Sequence, residues 1–124
     1  MTLLRQVHAL RGATTVEADQ RDQITEAVVE LMTALLERNG LRDSDCISVL
    51  FTATDDLTSM FPATAARTIG FDQTALLCAR ELSVDDATPR CLRVLVTVRS
   101  RRPKQKLEDV FLRGAANLRD VAPR

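Results

Sequence analysis

The chain has 124 residues, 45% of them apolar and 27% charged, with a formal net charge of zero. That is the profile of one soluble globular domain, and the balanced charge gives no argument for nucleic acid or a membrane surface as partner. Aromatic content is 3%, all phenylalanine, which argues against a base-stacking platform for single strands.

Three cysteines, an odd number and widely spaced, build neither a disulfide framework nor a Cys-x-x-Cys metal pair, and they fit a reducing cytosol. The opening MTLLRQVHALRG is too short and too charged for a signal peptide, and no run approaches the length of a membrane span. No repeat or boundary divides the chain. Residues 1–124 are expected as a single domain, with 119–124 as a flexible C-terminal tail.

Residues 3–11 read as a strand, followed by a turn in GATTVEAD. Ile24, Val28, Leu31 and Leu35, with Ala27, Met32 and Leu36 beside them, repeat with the helical period. The pattern predicts a helix over 20–39, with Asp19 as N-cap and Gly40 just past its end. CISVLFTA (46–53) reads as a strand apolar enough to be buried on both faces. After the polar loop ATDDLTSM, Pro62 suits the first turn of a short helix through Arg67, ended by Gly70. TALLCARE (74–81) and CLRVLVTVR (91–99) read as strands. In the second of these, Leu92, Val94, Val96 and Val98 share one face, and Cys91, Arg93, Leu95 and Thr97 the other. Pro103 is expected to start a last helix carrying Leu107, Val110 and Phe111 and ending at Gly114, with AANLR as a short extended tail. The order β-α-β-α-β-β-α predicts an α/β (α+β) fold: one mixed sheet with helices on one face. The other face then needs cover, which points to subunit packing.

Arg93 carries the sharpest chemical signal, a cation set among apolar neighbours in the most regular strand. It is either half of a structural ion pair with an acid such as Glu81 or an anion site. Arg11 stands before Gly12 at a strand end, a place suited to holding a carboxylate with two parallel donors, or simply solvated. Cys78 and Glu81 are equally open to plain readings, a small buried hydrophobe and a surface acid. His8 is the single histidine and sits in the body of a strand, so no serine or cysteine triad is built around it. No phosphate loop, metal-ligand spacing or paired-carboxylate motif is present. The basic residues from Arg99 to Lys106 read as a solvated loop that helps attract anions.

Six pieces in order change the picture. RGATTVE (11–17), TATDDL (52–57), FPATAAR (61–67), C-x-x-E (78–81), CLRVLVTV (91–98) and LR (118–119) together resemble the monofunctional chorismate mutases of the AroH class, the Bacillus type. The resemblance implies a cytoplasmic homotrimer, a pseudo-α/β-barrel of packed sheets with helices outside and active sites between subunits. It implies the Claisen rearrangement of chorismate to prephenate in aromatic amino acid biosynthesis, with no cofactor and no metal. Carried over position by position, Arg93 faces the ether oxygen of the breaking bond, Glu81 bonds the ring hydroxyl with Cys78 beside it, and Arg11 holds a carboxylate. Phe61, Ala63 and Leu118 match pocket walls, and Arg67 and Arg119 match outer cations. Thr64 stands where the family often has lysine, Phe111 where it often has tyrosine, and Leu76 and Leu77 replace a less bulky pair. These departures imply weaker substrate binding rather than lost chemistry.

Overall fold

The computed structural model describes residues 4–118. Five strands form one sheet: β1 (Gln6–Thr15), β2 (Cys46–Ala53), β3 (Ala75–Arg80), β4 (Cys91–Ser100) and β5 (Val110–Phe111). Their order is β3-β2-β4-β1-β5. β4 lies in the middle, antiparallel to both β1 and β2, while β3 runs parallel to β2 and β5 parallel to β1.

Helix α1 (Arg21–Arg38) buries Ile24, Ala27, Val28, Leu31, Met32 and Leu35, the stripe that the periodicity predicts. The short α2 (Pro62–Ala66) begins with its proline in the first turn and packs against α1. Both helices share one apolar core with the inward residues of β4, Leu92, Val94, Val96 and Val98. Gly12 lets α1 approach closely, because a Cβ there would stand 3.0 Å from Val94 Cγ1 and 3.1 Å from Leu31 Cδ1. The mixed sheet with helices on one face is therefore the architecture the element order predicts.

Four local expectations are corrected. β1 does not turn at Gly12 but continues to Thr15, because its residues pair with β4 on one side and with β5 on the other. Asp19 is not the N-cap of α1. Gln20 takes that position without a side-chain bond, and the Asp19 carboxylate bonds Thr58 and Ser59 instead. The last helix is absent. A single 3-10 turn (Lys104–Lys106) leads to β5, since the polar groups that a helix would satisfy internally are met from elsewhere. Glu108 N donates to Asn39 Oδ1 at 2.7 Å, Asn39 Nδ2 donates to the Glu108 carbonyl at 3.0 Å, and Arg11 N donates to Asp109 Oδ1 at 2.9 Å. The segment after β5 is not extended either, but folds into a 3-10 turn at Arg113–Ala115. In the single chain β2 is buried on its helix side and half-exposed on the other. Gly40 does follow α1 in a left-handed conformation (φ 62°).

The second face of the sheet is largely open. Leu77 is 66% exposed and Leu95 43% exposed, at matched register positions on either side of Leu50. Part of this face is covered where Phe111 of β5 and Leu118 beyond the following turn pack onto a small cluster of Ala13, Cys91 and Ala115.

Candidate active site

The open face sets Arg93 in a row of register partners, Ala79–Thr52–Arg93–Ala13–Phe111. Glu81 lies just beyond β3 and two residues after Ala79. Its amide still donates to the Ala53 carbonyl at 2.9 Å, which extends the strand pairing past Arg80. Thr52 Oγ1 donates to Glu81 Oε2 at 2.8 Å, and Arg93 Nε lies 3.5 Å from the same oxygen. Glu81 Oε1 accepts from Leu82 N at 3.2 Å. The carboxylate is thus fixed from three directions, while the Arg93 side chain stays 50% exposed. So loose and exposed an ion pair adds little to stability, but it does aim the guanidinium. A hollow of about 510 Å³ opens beside it, walled by Leu82, Val84, Asn117 and Leu118.

Arg11 occupies the neighbouring row, paired with Leu95 in register, on the same face. Its Nη2 lies 3.3 Å from Asp109 Oδ2, and its side chain is 44% exposed at a second hollow of about 560 Å³. The turn that carries Leu118 is tied down on both sides. Gly114 N donates to Thr15 Oγ1 at 3.0 Å, and Arg113 reaches Glu30 Oε1 at 3.0 Å and Glu26 Oε1 at 3.3 Å.

The remaining positions form a separate group at the β3 edge and α2. Phe61 is 71% exposed and shares a hollow of about 600 Å³ with Thr64 and Cys78. Ala63 is buried in the core at 6% exposure, and Arg67 is exposed at the end of α2. Cys78 pairs with the buried Phe51 and, like Leu76, packs partly against the core. Leu77 points to the open face. Within one chain, then, Arg93, Glu81, Arg11, Phe111 and Leu118 share the open face, and Cys78 lies on the opposite side of the sheet. Arg119, like the rest of 119–124, lies outside the described residues. Thr52 is the residue that sequence reasoning missed. Its signal was available in the alternation of β2, which puts it two residues from Leu50 on the open face.

The three thiols are free and differ in burial. Burial, reinforced by Asp45 and Asp43, pushes the Cys46 thiol up to about 12. Burial also raises Cys91, with Arg93 pulling the other way. Because the thiolate is the reacting form, both are expected to stay inert near neutral pH. Iodoacetamide followed by mass spectrometry should find the half-buried Cys78 alkylated first. Faster modification of Cys46 or Cys91 would show that the native packing opens there. Among the described residues no group of three His, Cys, Asp or Glu side chains could hold a metal ion.

The chain as a whole is similar to known proteins. The family model for chorismate mutase type I matches residues 7–121. The chain is 44% identical over 114 residues to the chorismate mutase AroH of Thermus thermophilus, covering 91% of this chain and 93% of that protein. It is 32% identical over 114 residues to the chorismate mutase AroH of Bacillus subtilis, covering 91% and 90%. A solved chorismate mutase from Clostridium thermocellum superposes with a TM-score of 0.85 at 41% identity, covering 87% of this chain and 96% of that one. The chain belongs to the chorismate mutase type I family.

Proposed function

We propose that the protein isomerises chorismate to prephenate at a site that two neighbouring copies complete, and that it works as a homotrimer. The observation that carries the reading is Arg93, a half-exposed guanidinium aimed by Glu81 into a hollow on an otherwise open sheet face. The rearrangement is intramolecular. It breaks a carbon–oxygen bond as a carbon–carbon bond forms, and negative charge grows on the departing ether oxygen. A fixed cation at that oxygen attracts the transition state more than the ground state, which is the condition for raising the rate. Arg11 supplies a carboxylate anchor and Glu81 accepts from the ring hydroxyl. Holding those groups selects the compact, chair-like substrate from its extended forms.

The two groups of site residues support the intermolecular arrangement. Arg93, Glu81, Arg11, Phe111 and Leu118 lie on the open face, whereas Phe61, Thr64, Cys78 and Arg67 gather around α2 and the β3 edge. Packing of open faces, with Leu77 and Leu95 buried between copies, brings the second group of one subunit to the first group of the next. Arg67 and Arg119 then serve as outer cations for the dianion, and Ala63, Leu76 and Leu77 back the wall. Residues 1–124 act as one domain in this reading, and the three free thiols suit the cytoplasm. No described helix is long and apolar enough to cross a membrane.

The direct test mixes purified protein with chorismate and follows loss of its ultraviolet absorbance, with acid conversion of the product to phenylpyruvate as confirmation. Turnover should change little across neutral pH, because no proton transfer is required. Binding of chorismate without loss of absorbance would refute the catalytic reading.

A further inference from the structure

We propose that Asp19 is a positioning residue for the Phe61 half of the substrate site, an inference that rests on the functional reading above. The loop between β2 and α2 has no regular hydrogen-bond ladder of its own, yet it must present Phe61 at the lip of the hollow it shares with Thr64 and Cys78. The backbone groups of Thr58 and Ser59 are met by side chains from outside the loop. Thr58 N lies 3.1 Å and 3.0 Å from the two oxygens of Asp19, and Ser59 N donates to Oδ1 at 3.0 Å. Thr58 Oγ1 donates to Oδ2 at 2.9 Å. Ser59 Oγ lies 2.6 Å from Oδ1 and 2.8 Å from the Asp19 carbonyl, with one proton to give.

The carbonyl groups on either side of Thr58 are taken by two arginines. Arg21 Nη1 donates to Ser59 O at 3.1 Å, and Arg80 Nη1 donates to Leu57 O at 3.0 Å. Asp19 therefore receives the amides of Thr58 and Ser59, three and two residues before Phe61. The hydrogen bond from Ser59 leads the effects that hold its carboxyl below the usual range, so it is ionised when it does this. Leu57, next to Thr58 in the chain, is buried in the hydrophobic core. Loss of the carboxylate should then loosen the lip without opening the core. The residue touches no reacting atom, and its effect passes through the placement of Phe61 and Thr64.

The test compares Asp19→Ala, Asp19→Asn, Ser59→Ala and Phe61→Ala for KM, kcat, thermal midpoint and oligomeric mass. Asp19→Ala should raise KM for chorismate about tenfold, the scale of losing one hydrogen bond to a charged group, with kcat within about twofold of the parent. Asp19→Asn should recover part of that loss, since its one carbonyl oxygen still accepts from the loop. If Asp19→Ala does not assemble, Ser59→Ala carries the test, with a smaller KM rise in the same direction. An unchanged KM in Asp19→Ala or, in that case, Ser59→Ala, while Phe61→Ala raises KM, overturns the inference and leaves the functional reading intact. So does a lowered thermal midpoint with no shift in KM, which is a structural role alone. If Phe61→Ala also leaves KM unchanged, the assignment of the Phe61 group to the substrate site fails and the inference falls with it.

Discussion

Replacing Arg93 by alanine is expected to cut kcat for chorismate at least a hundred- to a thousandfold, the range of about 2.7–4 kcal/mol seen when one preorganised donor to a developing oxyanion is lost. The effect should fall on kcat rather than on KM alone, because the charge that Arg93 meets exists mainly in the transition state. Arg93→Lys should also be poor. A lysine lacks the planar fork that contacts Glu81 with one edge and presents donors to substrate with another. The fold should survive both changes, since the side chain is half-exposed and its salt contact with Glu81 is long, at 3.5 Å. Steady-state rates with circular dichroism as a folding control decide the matter. Near-normal turnover in Arg93→Lys would show that Arg93 is a structural partner of Glu81 and not the catalytic cation.

Leu95→Asp is expected to separate the subunits and abolish activity while each chain stays folded. In one chain Leu95 is 43% exposed and Leu77, across Leu50 in register, is 66% exposed. Each buried leucine contributes about 1.5–3 kcal/mol, and an unpaired carboxylate forced into the same contact costs several more. In a symmetric trimer the change is felt at every interface. Sedimentation should show the mass falling from three chains to one, with activity lost together with the assembly. An active Leu95→Asp monomer would show that a single chain holds the whole site, and the two-group arrangement would be wrong.

The parts of the fold that were legible in the sequence are those decided by neighbours in the chain. The stripe from Ile24 to Leu35 and the alternation from Leu92 to Val98 each follow one period, and both elements formed where the periods placed them. The last helix failed because Leu107, Val110 and Phe111 also suit a helical spacing. Asn39, nearly seventy residues earlier, takes the backbone groups of Glu108 and commits the segment to the sheet. Asp19 failed as a cap for a similar reason, since Thr58 and Ser59 supply more donors than the helix end could.

At the site, Arg93 was legible as a charge in an apolar strand, and Glu81 as its partner. The C-x-x-E spacing sets its two residues on different faces of the sheet. Residues three apart along a strand point to opposite faces, so Cys78 turns toward the helices when Glu81 faces the open side. No local pattern reveals which copy of the chain a residue serves, and the ordered set of motifs, not any period, pointed to the family.

β4 is bracketed by hydrogen-bonded strands on both flanks over nearly its whole length. Residue 93 therefore rides on the part of the backbone least able to breathe, and separating it from either neighbour means tearing the sheet. Adaptation of such an enzyme to a hotter or colder habitat would have to be written in the rim segments around the cleft. The cation itself stands on ground that does not shift.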